Sequence, residues 1–339
     1  MRHIIYGAGA IGGTIGARLH QAGKSVLLIA RGEHLAELRD HGVSFKSPDG
    51  HQQLRIPVCG GPEEITFQAG DIVYCTMKTQ HSQPAMESLY QAAGPDIPVI
   101  CCQNGVENER LAARLFRHVY GMVVMLPASH MQPGEIIHHA SSAREGYTGG
   151  ILDAGRFPSG LDEIITRVAS DLSEAGFSCT ADAAAMRWKY AKLLQNLGNA
   201  MQAVIGLKQD GRALMSLMIH EALTCFRAGG IDCASKEEVA SRRQGQLEME
   251  PVAGFERGGG SSWQSIMRGT GSIEAHYLNG EICLLGNLHG VATPANEVMR
   301  RLAVKVAAGE IAPGSLSVAE VTSEIDKETA LSGSQQPVA

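Results

Sequence analysis

The sequence predicts an α/β chain in two parts: a doubly wound, mostly parallel sheet in the first half and an all-helical second half. Three observations predict it. Short apolar runs alternate with helical stretches from His3 to Met125, and a glycine-rich turn joins the first run to the first helix. Past Asp182 the strand-like runs stop, and long stretches rich in Ala, Leu and Met replace them. Such alternation implies βαβ units, because parallel strands need a crossover that is usually a helix.

Taken in order, the strand-like runs are His3–Tyr6, Ser25–Ala30, Ile72–Thr76, Val99–Cys102 and Val119–Met125, with helical stretches such as Gly12–Gln21 and Leu35–Arg39 between them. "GEIIHHASSAREGYTGGIL" reads as a strand and turn, "LDEIITRVASDLSEAGF" as an amphipathic helix with a glycine stop, and "FSCT" as a short strand. "AAAMRWKYAKLLQNLGNAMQAVIGL" lacks glycine until Gly198 and reads as a long buried helix. "GRALMSLMIHEALTCFRAGGI" is another, stopped by Gly229-Gly230, and "SIEAHYLNGEICLLGNLHG" and "ANEVMRRLAVKVAAG" follow. The expected division is residues 1–181 for a sheet domain, 182–330 for a helical domain and 331–339 for a disordered tail.

Bulk properties exclude several classes of function. The chain has 339 residues, 44% hydrophobic and 19% charged, enough for two domains with real cores. A net charge of -6 without a Lys/Arg run gives no footprint for nucleic acid. No apolar stretch approaches the roughly 20 residues that cross a bilayer, so no membrane partner is expected. The first residues enter a strand directly and do not read as a signal peptide. The eight cysteines form no CxxC pair and read as buried small hydrophobes in a reducing, cytoplasmic setting. His138-His139 is the one adjacent histidine pair, and no Cys or carboxylate stands at ligand spacing from it, so no metal is expected.

The chemistry starts at "IIYGAGAIGG". Gly7, Ala8, Gly9, Ala10, Ile11 and Gly12 follow a strand and open a helix, the context that gives GxGxxG its meaning. Gly7 allows a tight turn, Gly9 lets backbone approach a pyrophosphate, and Gly12 lets helix pack on strand. The unpaired N–H groups at the helix start then face the phosphates. This is the first turn of a Rossmann-type domain. The second strand ends in Arg31, where an acidic residue would bind the 2′-hydroxyl of NAD. A guanidinium instead meets a 2′-phosphate with two charge-assisted hydrogen bonds, which points to NADPH/NADP as cofactor. Lys78 and Asn104 follow two further strands, at the edge where doubly wound sheets place ligands. The lysine suits the 2′-phosphate and the asparagine suits nicotinamide or substrate; either would also serve as a plain turn residue.

On "WKYAKLLQNLGNAM", Lys192, Asn196 and Asn199 fall at i, i+4 and i+7, along one stripe of a helix. A lysine in such apolar surroundings either snorkels to water or occupies a polar cleft. With two asparagines it suits carbonyl reduction, the ammonium protonating the oxygen while the amides orient a carboxylate or hydroxyl. A solvated face is the competing reading. Ser262, after three glycines, and Glu274, near Asn279-Gly280, form a last polar cluster.

Together these segments resemble the ketopantoate reductase (2-dehydropantoate 2-reductase) family. The matching pieces are "GAGAIGG" at Gly7–Gly13, "MKTQ" at Met77–Gln80, "QNG" at Gln103–Gly105, "KLLQN" at Lys192–Asn196, "SIEAHYLNG" at Ser272–Gly280 and "HGVATPAN" at His289–Asn296. The resemblance implies an active site in the cleft between the two domains and NADPH-dependent reduction of ketopantoate to pantoate, on the route to coenzyme A. It makes Lys192 the proton donor. Asn104 then contacts nicotinamide and substrate, and Asn196, Asn199 and Ser262 bind the 2-oxo acid. Glu274 binds the cofactor ribose or positions Lys192, Arg31 and Lys78 hold the 2′-phosphate, and Ala128 or Ser129 lines the nicotinamide side. A homodimer is compatible with it.

Three positions depart from the family's usual pattern. Ala200 stands where a second asparagine is usual, with Asn199 one residue earlier. Ile266 replaces an aspartate after the serine, and His276 stands at an acidic position. The Tyr147–Gly160 stretch is also longer and richer in glycine than usual. These changes touch the substrate side. A reductase of a different oxo acid or ketone is therefore the alternative, and a non-catalytic NADP-binding regulator the more distant one.

Overall fold

The computed structural model describes residues 1–142, 146–255, 259–269 and 271–333. The first half runs β1 (Arg2–Tyr6), α1 (Ala10–Gln21), β2 (Ser25–Ile29), α2 (Gly32–Asp40), a hairpin of β3 (Val43–Ser47) and β4 (Gly50–Leu54), then β5 (Val58–Cys59) and β6 (Asp71–Cys75). It continues with α3 (Ser82–Ala93), β7 (Val99–Cys101), α4 (Glu107–Ala113), β8 (Val119–Met122), β9 (Ala128–Ser129), β10 (Glu135–His138), β11 (Ala154–Arg156) and α5 (Glu163–Glu174).

Among the described residues, seven strands form one sheet in the order β11-β8-β7-β6-β1-β2-β5. All pairings are parallel except β11 against β8. A parallel sheet covered on both faces needs apolar residues at successive positions, and β6, β7 and β8 are buried throughout. Alternate side chains supply the two cores. Ile5, Leu28, Tyr74, Ile100 and Tyr120 pack with Ile15 and Leu19 of α1 and Val168 and Leu172 of α5. Ile4, Ile29, Val73, Val99 and Cys101 pack with Met86 and Leu89 of α3 and Ala112 of α4. Each such large side chain contributes about 2 kcal/mol by leaving water.

A second sheet, β4-β3-β10-β9, packs on α1, where Ile136 lies so close to Gly13 that a Cβ there would sit 2.6 Å from its Cδ1. The strand expected at "FSCT" is instead one isolated bridge, Ile151 with Ser178, followed just beyond it by a second, Ala154 with Ala181. The run expected to reach Met125 ends as a strand at Met122, with Met125 bridging Ile151.

The second half is helical: α6 (Ala185–Ile205), α7 (Arg212–Ala228), α8 (Lys236–Arg243), α9 (Ser261–Met267), α10 (Asn279–His289), α11 (Pro294–Ala307) and α12 (Val318–Gly333). Helix α12 therefore takes in the first residues of the expected tail, and residues 334–339 lie outside the described residues. No described helix is long and apolar enough to cross a membrane.

By packing, the chain divides into two compact units, Met1–Lys189 with Ala234–Arg257, and Tyr190–Cys233 with Gly258–Ala339. The sequence division at 181/182 thus differs from the packing division, and α8 belongs with the sheet. Two forked contacts explain its return. Arg187 meets Glu238 through two bonds of 2.8 Å, and Arg242 meets Asp153 at 2.8 and 2.6 Å while also bonding Ser178. In the second unit, Glu221 of α7 accepts from the N–H groups of Ala295 and Asn296, capping α11 where Thr293 does not.

Candidate active site

In the sheet unit, register decides what comes together. Tyr6 pairs with Ile29 and Cys75, and Cys75 with Cys101, so β1, β2, β6 and β7 end in line. The loops carrying Gly7–Gly12, Arg31, Lys78 and Asn104 consequently leave one edge of the sheet. Ala128 is placed differently. It lies in β9 of the second sheet, buried and paired with His138, while neighbouring Ser129 Oγ lies 3.0 Å from His139 Nε2.

The glycine turn has the shape its sequence requires. Gly7 has φ +107, and a Cβ there would meet the Met77 nitrogen at 2.8 Å. A Cβ on Gly12 would lie 2.4 Å from both the Gly7 carbonyl oxygen and Thr76 Oγ1. A Cβ on Gly9 would meet nothing within 4 Å, so this residue faces open space at the N-cap of α1. No side chain caps that helix, and its first N–H groups have no intrahelical acceptor. An open glycine at an uncapped helix start fits a pyrophosphate. Arg31, exposed, is the N-cap residue of α2, and half-buried Lys78 precedes a short 3-10 turn at Thr79–His81. Asn104 is half-buried between buried Gln103 and Gly105, the latter at φ +78.

Two supporting residues escaped the sequence reading. Thr76 Oγ1 donates to the carbonyls of Tyr6 and Gly7 at 3.0 and 2.8 Å, tying the turn to β6. His34 bridges the turn and the second sheet's loop. The Gly134 N–H donates to its Nδ1 at 2.9 Å, so Nε2 carries the proton and donates to the Ala8 carbonyl at 2.8 Å. That ring is neutral, and burial holds its pKa below the ordinary value. Its signal was only a histidine one turn past Arg31.

In the helical unit, α6 carries Lys192 half-buried, Asn196 buried and Asn199 half-buried. Asn196 Nδ2 is buried and has no hydrogen-bond partner among the described residues. The Gly259–Ser262 segment meets the same helix. The Gly260 N–H donates to Gln202 Oε1 at 2.9 Å, and a Cβ on Gly260 would lie 2.6 Å from Asn199 Oδ1. A side chain at Gly260 would have to displace the Asn199 amide, and the loop delivers buried Ser262 as the second residue of α9. Glu274 is 2% exposed and sits in a single 3-10 turn, Glu274–Tyr277, not in the helix expected there. Among the departures, Ala200 is buried, Ile266 half-buried and His276 exposed, its Nδ1 accepting from Arg300 at 3.2 Å.

A doubly wound sheet with this turn defines a dinucleotide-binding protein. The comparisons place it further. The family model "Ketopantoate reductase PanE/ApbA" matches residues 3–146 and its C-terminal model matches 184–306. The chain belongs to the ketopantoate reductase family. It is 25% identical over 304 residues to the 2-dehydropantoate 2-reductase of Pyrococcus horikoshii, covering 87% of this chain and 94% of that one. Among solved structures it is similar to a PanE/ApbA family ketopantoate reductase from Ralstonia eutropha JMP134, at 26% identity and TM-score 0.76, covering 91% and 99%. The fold is shared with D-mandelate dehydrogenase, solved with NADH and anilino(oxo)acetate, at 21% identity and TM-score 0.77, covering 91% and 99%.

Proposed function

We propose that the protein reduces a 2-oxo acid with NADPH, and that the substrate is 2-dehydropantoate, giving pantoate for coenzyme A synthesis. The observation that carries the substrate half is Asn196, one helical turn past Lys192, with a buried amide nitrogen left for a ligand acceptor. The cofactor half is supported by the open Gly9, the uncapped α1 and exposed Arg31.

When bound, NADPH supplies the hydride. Arg31 and Lys78 hold the 2′-phosphate, and the N–H groups opening α1 hold the pyrophosphate. Asn104 orients nicotinamide and substrate, with Ala128 on the nicotinamide side. Asn196, Asn199 and Ser262 bind the oxo acid, and Lys192 gives a proton to the ketone oxygen as charge develops there. Glu274 binds the ribose or orders Lys192. Eight free cysteines, five of them buried, suit a reducing compartment such as the cytoplasm.

A second reading, reduction of a different oxo acid, is favoured by His276. Its ring bonds Arg300 where the family usually has an acidic residue. NADPH oxidation by the purified protein with ketopantoate and with other branched 2-oxo acids tests both. Ketopantoate as the best substrate supports the first reading; inactivity with it and turnover of another acid supports the second.

A further inference from the structure

A buried cation in the sheet unit has no part in the site assigned above. Lys189 on α6 is 3% exposed, and its ammonium lies 2.5 Å from Oε1 of Glu109 on α4, a residue with no exposure at all. The same ammonium donates to two main-chain carbonyls, that of Cys101 at 3.2 Å and that of Gln103 at 3.0 Å. Desolvating two ions commonly costs more than their attraction returns, so an apolar pair of equal volume would join helix to sheet as well. What an apolar pair cannot do is bond those carbonyls. β7 ends at Cys101, where its pairing with β8 also ends, and Gln103 lies beyond the ladder, where its carbonyl needs another donor.

The pinning extends through side chains. Gln103 Nε2 donates to Ser82 Oγ at 3.2 Å, Ser82 Oγ to Asn108 Oδ1 at 2.6 Å, and Asn108 Nδ2 to Thr79 Oγ1 at 3.1 Å. All four residues are buried, and Asn108 precedes Glu109 in the chain. One network with Lys189–Glu109 at its ionic end therefore ties the loop after β7, which carries Asn104, to the loop after β6, which carries Lys78.

We propose that Lys189 is a positioning residue of the reductase site: paired with Glu109, it fixes the backbone from Cys101 to Gln103 and so sets how Asn104 meets nicotinamide and oxo acid. The proposal rests on the role given to Asn104 above. Removing the ammonium leaves two buried carbonyls without this donor, while the Glu109 carboxyl, already pushed up by burial, takes up a proton and stays neutral. Packing survives and the turn loosens.

The test uses the full chain with Lys189→Met, Asn104→Ala, their combination, and Lys189→Met/Glu109→Gln, which leaves no buried unpaired charge should the single variant not fold. Readouts are kcat and KM for ketopantoate, NADPH affinity, and amide hydrogen exchange over residues 101–106. The expected result is a kcat lowered by up to about 10²-fold, NADPH affinity changed far less, and faster exchange confined to 101–106. Asn104→Ala should then cost little more in the Lys189→Met background. Wild-type kcat and wild-type exchange in a folded variant overturn the proposal, as does strict additivity with Asn104→Ala. Wild-type protein inert toward every 2-oxo acid overturns the reductase reading instead, and the exchange comparison then decides the Lys189 contacts alone.

Discussion

The two units settle their buried polar groups differently. In the sheet unit buried charges meet opposite charges: Lys189 meets Glu109, Arg18 meets Asp49 at 2.8 Å and Arg242 meets Asp153 at 2.6 Å. In the helical unit Asn196 keeps a buried donor with no partner among the described residues. A buried donor left unpaired costs roughly 1–3 kcal/mol, a cost that a fold retains where a ligand repays it. Gln103 Oε1 and His118 Nδ1 in the sheet unit are likewise buried without a partner among the described residues. The difference therefore lies in the buried ion pairs, which join helices and loops to the sheet, and not in one unit being satisfied and the other open.

Substitutions can break that contrast. The largest effect is expected for Lys192→Ala, which should lower kcat by about 10²- to 10⁴-fold while NADPH affinity holds, since the general acid is lost and the dinucleotide turn is untouched. Steady-state kinetics with a fluorescence titration of NADPH checks both halves. Next comes Asn196→Ala. Loss of a buried substrate hydrogen bond should lower kcat/KM by about tenfold to a hundredfold, and removal of an unpaired donor should leave Tm unchanged or raised. A clear fall in Tm would show that Asn196 supports the helix and not the ligand.

Arg31→Ala acts only on the sheet unit. It should weaken NADPH by roughly tenfold or more, the worth of a charge-assisted phosphate contact, and leave NADH nearly unaffected. An unchanged NADPH-to-NADH preference contradicts the 2′-phosphate role.

A pH dependence of stability is expected from two buried histidines of the sheet unit. His3, between the Tyr74 hydroxyl at 2.9 Å and the Asp171 carboxylate at 3.2 Å, is held to about 4 by burial, and His138 to about 3 by burial and then Arg18. Both are neutral in the fold at pH values where the unfolded chain has already protonated them. Below about 6.5 the unfolded state binds more protons, and stability falls as pH drops toward 4, by about 1.4 kcal/mol per pH unit for each ring. Urea midpoints at pH 7 and pH 5 for wild type and His3→Gln measure it; equal slopes in the two proteins would remove His3 from the account.

Legibility in the sequence followed the same divide. Alternating apolar runs and the glycine turn located β1, β2, β6 and β7 to within a residue, because a parallel sheet buried on both faces writes itself as continuous apolar stretches. Of the second sheet only β10 was legible, as the strand read in "GEIIHH". "GHQQL" of β4 is mostly exposed and carries no apolar alternation, and β9 is two residues long. At the site, Lys192, Asn196 and Asn199 could be read from helical spacing. Lys189 could not, because a lysine three residues earlier in the same apolar helix gives an identical local signal. Only contacts with Glu109, Cys101 and Gln103, distant in sequence, distinguish it. The loop that brings Gly260 against Asn199 was hidden for the same reason.

The central claim is that the amine of Lys192 delivers the proton during reduction. The direct measurement is a single turnover of NADPH oxidation, at saturating cofactor and ketopantoate, for wild type and Lys192→Ala. A rate for the variant lower by about 10²-fold or more is the expected result. Equal rates would contradict it.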